Sequence, residues 1–159
     1  MRRTLIEPDI HLIPAVFRPL LRSAPVYDSS CSQEARVLFI DNGEGYFLKS
    51  APKGTLEAEA KMAAYFHQKG LGAQVLAFES DERDWLLTAR VPGEDCTHAD
   101  VLAQPERLAD LLGERLRMLH ELDFADCPVP DRMAGYKALA AENYRTGHYD
   151  KTQFPDSFG

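Results

Sequence analysis

A lysine closes the apolar run "YFLK" (residues 46–49), and a glutamate follows ten residues later inside "TLEAEAKMAAYFHQKG". Side chains alternate along a strand, so Phe47 and Lys49 share one face of the first segment. Glu59 shares a helix face with Met62, Ala63 and Phe66, at i+3, i+4 and i+7. Both charges are thereby aimed at the protein's own core, where a lone charge is costly even after relaxation. Pairing Lys49 with Glu59 is the inexpensive resolution. An ammonium fixed by a carboxylate at the mouth of a sheet can meet phosphate oxygens, so the chemistry open to this pair is the binding of a phosphorylated ligand. Spacing alone also allows a plainer arrangement, with Lys49 reaching into water and Glu59 complementing the dipole of a first helical turn.

The elements that must position the pair can be read on either side of it. "LIPAVFRPLL" (12–21) suggests a short N-terminal helix or turn, made irregular by its two prolines. Val26 to Asp28 reads as a strand end, "SSCSQEA" as a loop and Arg36 to Ile40 as a strand. The turn "DNGEG" then returns the chain into "YFLKS" as a hairpin. After the break "APKG", a helix runs from Thr55, its expected cap, to Gly70, its expected stop, with Leu56, Met62, Ala63 and Phe66 as the apolar stripe. "QVLAFES" (74–80) and "DWLLTA" (84–89) form a second hairpin. This is an α+β lobe, an antiparallel sheet of about five strands carrying one helix. After "RVPGED" (90–95) the chain turns helical. Leu108, Leu111, Leu112, Leu116 and Leu119 recur at helical spacing behind Pro105, and a further helix is expected over 131–147. The expected organisation is residues 1–89 as a lobe, 90–95 as a hinge and 96–159 as the start of a helical part.

The 159 residues are 45% apolar and 27% charged, as in an ordinary globular chain. No run of 18 apolar residues occurs, and the N-terminus lacks the apolar core and cleavage site of a signal peptide, so a cytoplasmic location is expected. A net charge of −7 makes nucleic acid a poor partner and attracts cationic small molecules. Cys31, Cys96 and Cys127 are widely separated, and the five histidines show no metal-ligand spacing. His98 and His120 are expected to be ordinary helix-region residues rather than bases.

Strand, loop, strand with lysine, helix with glutamate, hairpin and linker is the layout of a kinase nucleotide lobe. Over most of its length the chain resembles the aminoglycoside phosphotransferase family, of the 3′-phosphotransferase or kanamycin kinase type. The resemblance is carried by "VYDSSCSQEARVLFI", "YFLKS", "EAEAKMAAYFHQKG", "RDWLLTARVPGEDC", "LGERLRMLHELDFADCP" and "ENYRTGHYD". It implies a kinase-like N-terminal lobe followed by the first helices of a larger lobe. It implies that Lys49 contacts the α- and β-phosphates of ATP (or GTP), that Glu59 orients it, and that Phe47 stacks on the base. Ser32 and Gln33 would lie in the loop over the phosphates. The backbone of Ala89 and Val91 would meet the base edge, and Asp150 and Asp156 would approach a cationic aminoglycoside.

The family's His-Gly-Asp catalytic loop and its metal-binding Ile-Asp-x-Gly are both expected to be missing from the chain. The expectation is therefore the N-terminal portion of a longer enzyme. It would hold no catalytic base and no ligand for Mg2+, and would be inactive alone. Its apolar helix faces would be left open to self-association. Other readings keep the fold and change the role: a choline- or homoserine-type kinase, a non-catalytic module binding nucleotide or a partner, or a remnant without function.

Overall fold

The structure is a computed structural model that describes residues 3–32, 34–93, 96, 98–129 and 132–149. The chain divides into two compact units, Met1–Pro128 and Val129–Gly159. In the first, the elements in order are β1 (Thr4–Ile6), a 3-10 turn (Ile10–Leu12), α1 (Arg18–Leu21), β2 (Val26–Asp28), β3 (Arg36–Ile40), β4 (Tyr46–Pro52), α2 (Glu57–Gln68), β5 (Val75–Ser80), β6 (Arg83–Ala89), α3 (Ala99–Leu102) and α4 (Pro105–His120). The second holds α5 (Arg132–Thr146).

The strands make one six-stranded antiparallel sheet in the order β1-β2-β3-β4-β6-β5. It has one strand more than the sequence suggested, because β1 adds to the edge through the register Leu5 opposite Tyr27. Alternation divides the sheet into two faces. On one, Val26, Leu38, Ile40, Leu48 and Leu87 are buried beneath Ile13, Phe17 and Leu21 of the N-terminal segment. The prolines do break that segment, into a turn and a four-residue helix. Arg18 ties the pieces together by donating from Nε to the Ile13 carbonyl at 2.8 Å. On the other face, Ala51 of β4 and Leu86 of β6 pack against Leu56 and Ala60, at the start of α2.

Two expectations about α2 are corrected. Its buried contact with the sheet runs through Leu56 and Ala60, whereas Met62, Ala63 and Phe66 are half-buried. The helical period was right, but the small side chain of Ala60 lets the helix approach the sheet on a neighbouring face. Thr55 is not the cap either: its hydroxyl donates to the Pro52 carbonyl at 2.6 Å. The amide of Leu56, the residue just before the helix, donates instead to Asp84 Oδ2 of β6 at 2.9 Å. Asp84 is fully buried and also accepts from the Ser80 hydroxyl at 2.7 Å. The helix stops where expected: Gly70 is left-handed (φ 75°), and its amide donates to His67 O at 2.9 Å.

The Ser80 hydrogen bond, with the Leu56 amide behind it, holds the Asp84 carboxyl below its usual value of 3.8. A depressed folded pKa contributes stability that is complete above the ordinary value and is lost as pH falls through the lowered one. Asp84→Ala is expected to lower Tm by roughly 2–7 °C at neutral pH. That gap should close in melts recorded progressively below pH 3.8. A gap of constant size down to the acid unfolding range would exclude the ionised cap as its source.

Pro105 opens α4 as expected, and none of the helix's residues is buried. Its leucines line up on one side, yet Leu112 and Leu116 stay 47% and 54% exposed. On α5, considered by itself, Met133, Tyr136, Leu139 and Tyr144 are also exposed.

Candidate functional site

Lys49 sits on β4, opposite Val37 of β3 and Leu86 of β6. Its ammonium donates to both oxygens of Glu59, at 2.9 and 2.7 Å. Strand, break and first helical turn thus bring the two charges together. They are not buried in the core, however: the side chains are 29% and 45% exposed, and Glu59 faces the rim beside the half-buried Met62. Water relieves most of the desolvation cost that the sequence argument assumed, and it leaves the ammonium accessible to a ligand.

Phe47 lies on the same face as Lys49, about 7 Å away along the strand. It belongs to a cross-strand row, with Tyr27 opposite Phe39, Phe39 opposite Phe47 and Phe47 opposite Thr88. Ring centroids are 6.1 Å apart for Tyr27 and Phe39 and 5.0 Å for Phe39 and Phe47. The Arg3 guanidinium lies 3.9 Å over the Phe39 ring, and that of Arg90 approaches it to 5.9 Å. Gly45 makes room for this arrangement: a Cβ there would stand 3.0 Å from Arg90 Cδ and 3.1 Å from the Phe39 ring.

The loop between β2 and β3 contains no glycine and is shaped by serines. The Ser29 amide donates to Val37 O at 2.9 Å, and the Val37 amide donates to Ser30 Oγ at 3.0 Å. The Ser30 amide donates to Asp28 Oδ1 at 2.9 Å and, with the Ser30 hydroxyl, holds the Asp28 carboxyl below its usual range. Ser32 is exposed on this loop, and Gln33 lies outside the described residues. Sequence reasoning passed over Ser29 and Ser30, although a serine pair directly after a strand is an available turn signal.

At the opposite end of the sheet, Ala89 pairs with Tyr46 and donates its amide to Gln74 O at 2.9 Å. Arg90 donates its amide to Gly45 O at 3.0 Å, and Val91 follows with an exposed side chain. The register thus spaces three features along the length of the strands. The end of β6 lies level with Tyr46, the aromatic row level with Phe47, and Lys49 with its serine loop toward the far end. From Tyr46 to Lys49 is about 10 Å, the reach of a nucleotide from base to phosphates.

Asp150 and Asp156 lie outside the described residues. The letters Ile-Asp-x-Gly do occur once, as Ile40 to Gly43, but they form the β3–β4 turn. There Asp41 donates its amide to Pro25 O and Asn42 Oδ1 accepts from the Gly45 amide. Among the described residues no group of three or more His, Cys, Asp or Glu is placed to hold a metal ion, and no helix is long and apolar enough to cross a membrane. None of the three cysteines is in a disulfide; Cys31 and Cys96 are exposed and Cys127 is half-buried.

The model of the "Phosphotransferase enzyme family" matches residues 29–157. A probable aminoglycoside 3′-phosphotransferase of Lactococcus lactis subsp. lactis (strain IL1403) is 43% identical over 136 residues, 85% of this chain and 52% of that protein. The crystal structure of an aminoglycoside-3′-phosphotransferase of type VIII superposes with a TM-score of 0.61 at 30% identity, covering 72% of this chain and 44% of that one. The chain therefore spans about half the length of the curated relative it matches.

Proposed function

Because the chain belongs to the phosphotransferase enzyme family, we propose that it is the nucleotide-binding part of a kinase that phosphorylates a hydroxyl of an aminoglycoside. The observation that carries this reading is the accessible Lys49–Glu59 pair, about 10 Å along the sheet from the end of β6. Lys49 takes the α- and β-phosphates of ATP or GTP, and Glu59 holds its ammonium in place. Phe47 stacks on the base, and the backbone of Ala89 and Val91 meets the base edge. Ser32 and Gln33 lie over the phosphates. Residues 1–89 act as the nucleotide lobe, 90–95 as the hinge and 96–159 as the beginning of the substrate lobe, where Asp150 and Asp156 attract the polycationic antibiotic. Such a protein works in the cytoplasm and confers resistance.

Magnesium, when bound, neutralises charge on the transferring phosphates. Both Glu59 oxygens already accept from Lys49, so the described residues do not form its site. The expected behaviour of this chain is saturable nucleotide binding without turnover, since no His-Gly-Asp is present to supply a base. Calorimetric titration with ATP and GTP in magnesium buffer tests it, alongside an assay for phosphate release. Absence of binding to both nucleotides would overturn the reading.

The exposed leucines of α4 lead to a further expected result. The chain self-associates at micromolar concentration, and the double substitution Leu112→Glu with Leu116→Glu shifts it to monomer in light scattering. A monomeric parent chain would remove the basis for this.

A further inference from the structure

The segment "LDFADCP" (122–128) follows α4 and has no part in the proposed nucleotide site, yet it is bound to the helix that carries Glu59. The buried Tyr65 of α2 donates its hydroxyl to the Asp123 carbonyl at 3.1 Å. Lys69, at the C-terminal end of α2, donates to both Asp126 oxygens, at 3.3 and 3.2 Å. Its ammonium also lies 5.2 Å from the centre of the Tyr65 ring. Cys127 Sγ lies 3.7 Å from Met62 Sδ. The loop is itself shaped for this grip: Asp123 Oδ1 accepts from the Ala125 amide at 3.0 Å, and Cys127 donates its amide to Phe124 O at 3.0 Å. The Asp126 hydrogen bond holds the Lys69 ammonium above its ordinary pKa, and Lys69 in turn holds the Asp126 carboxyl below its own.

Met62, Tyr65 and Lys69 fall on one side of α2, and Glu59 lies on that side one turn before Met62. The loop therefore grips the second half of the face whose first half meets Lys49. A helix gripped along one face cannot roll. A roll of 20° would carry a side chain at the helix surface through about 2 Å, enough to break a hydrogen bond.

We propose that residues 123–127 are a clamp that sets the rotation of α2, with Tyr65, Lys69 and Asp126 as positioning residues for the Lys49–Glu59 pair. The nucleotide part of this proposal rests on the reading given under Proposed function. The experiment uses the full chain with Tyr65→Phe, Lys69→Met and Asp126→Asn, the double variant Tyr65→Phe with Asp126→Asn, and a charge-exchanged double variant, Lys69→Asp with Asp126→Lys. Amide hydrogen exchange over residues 57–68 is read without ligand, and the Kd for MgATP by calorimetry, with Lys49→Met in parallel.

The expected result is faster exchange in α2, about threefold weaker ATP binding in each single variant and about tenfold in Tyr65→Phe with Asp126→Asn. The charge-exchanged variant should recover most of the affinity. A loop that merely adds stability would lower Tm without moving Kd. Unchanged exchange over α2 overturns the clamp. An unchanged Kd in the loop variants, where Lys49→Met abolishes binding, overturns the positioning role. If Lys49→Met itself binds ATP normally, the nucleotide reading has failed. Exchange then decides the clamp alone: faster exchange supports it and unchanged exchange overturns it.

Discussion

Replacing Lys49 with methionine is expected to abolish measurable nucleotide binding while leaving thermal unfolding almost unchanged. The substitution keeps the length of the side chain and removes its charge. The ion pair it breaks is partly exposed, with Glu59 nearly half open to water, so the cost to the fold is about 0.5 kcal/mol. Binding suffers far more. The phosphates lose their charge-assisted donor, and the freed Glu59 carboxylate then faces the anionic ligand directly. A loss of about a hundredfold or more in affinity follows from removing one partner and unmasking a like charge. Calorimetry with MgATP and a melt of the same sample check both halves. A Kd within about twofold of the parent would sink the assignment of Lys49 to the phosphates.

The neighbouring residue is expected to do the reverse. Leu48 points to the opposite face of β4, is fully buried, and sits between Leu38 and Leu87 in the sheet register. Leu48→Ala removes part of the cluster roofed by Ile13, Phe17 and Leu21, whose prolines and short helix limit how far it can collapse into the space. The loss is about 3 kcal/mol, which lowers Tm by about 10 °C in a chain of this size. The folded fraction should still bind nucleotide with the parent affinity. A Tm within about 2 °C of the parent would mean that the back of the sheet is looser than its burial indicates. Adjacent positions with opposite phenotypes are a direct test of strand alternation at this site.

Much of this arrangement could be read from the sequence because its signals are local. The "DNGEG" turn, the alternation in "YFLKS" and the leucine period behind Pro105 each report on their own segment, and each element formed where expected. The Lys49–Glu59 pair was legible for a different reason: two charges on inward-tending faces, one short break apart, have few other partners. What escaped were features that depend on the far side of the molecule. Asp84 lies 28 residues from the Leu56 amide it caps, and nothing around Leu56 announces it. The strand β1 is three residues long and joins the sheet by backbone pairing at an edge, without an apolar period of its own. Helical periodicity correctly placed Leu56 on the buried side of α2 but could not show that Ala60, rather than Met62, Ala63 and Phe66, would join it there. That choice depends on how closely β4 and β6 approach.

Helix α2 is fastened at its start by Asp84 and at its finish by Asp123 and Asp126. Contacts at both ends restrain the helix, and with it the spacing between Lys49 and Glu59. A pair held in this way is preorganised: little ordering is left to be done when an anion arrives, so less of its interaction with Lys49 is lost to ordering.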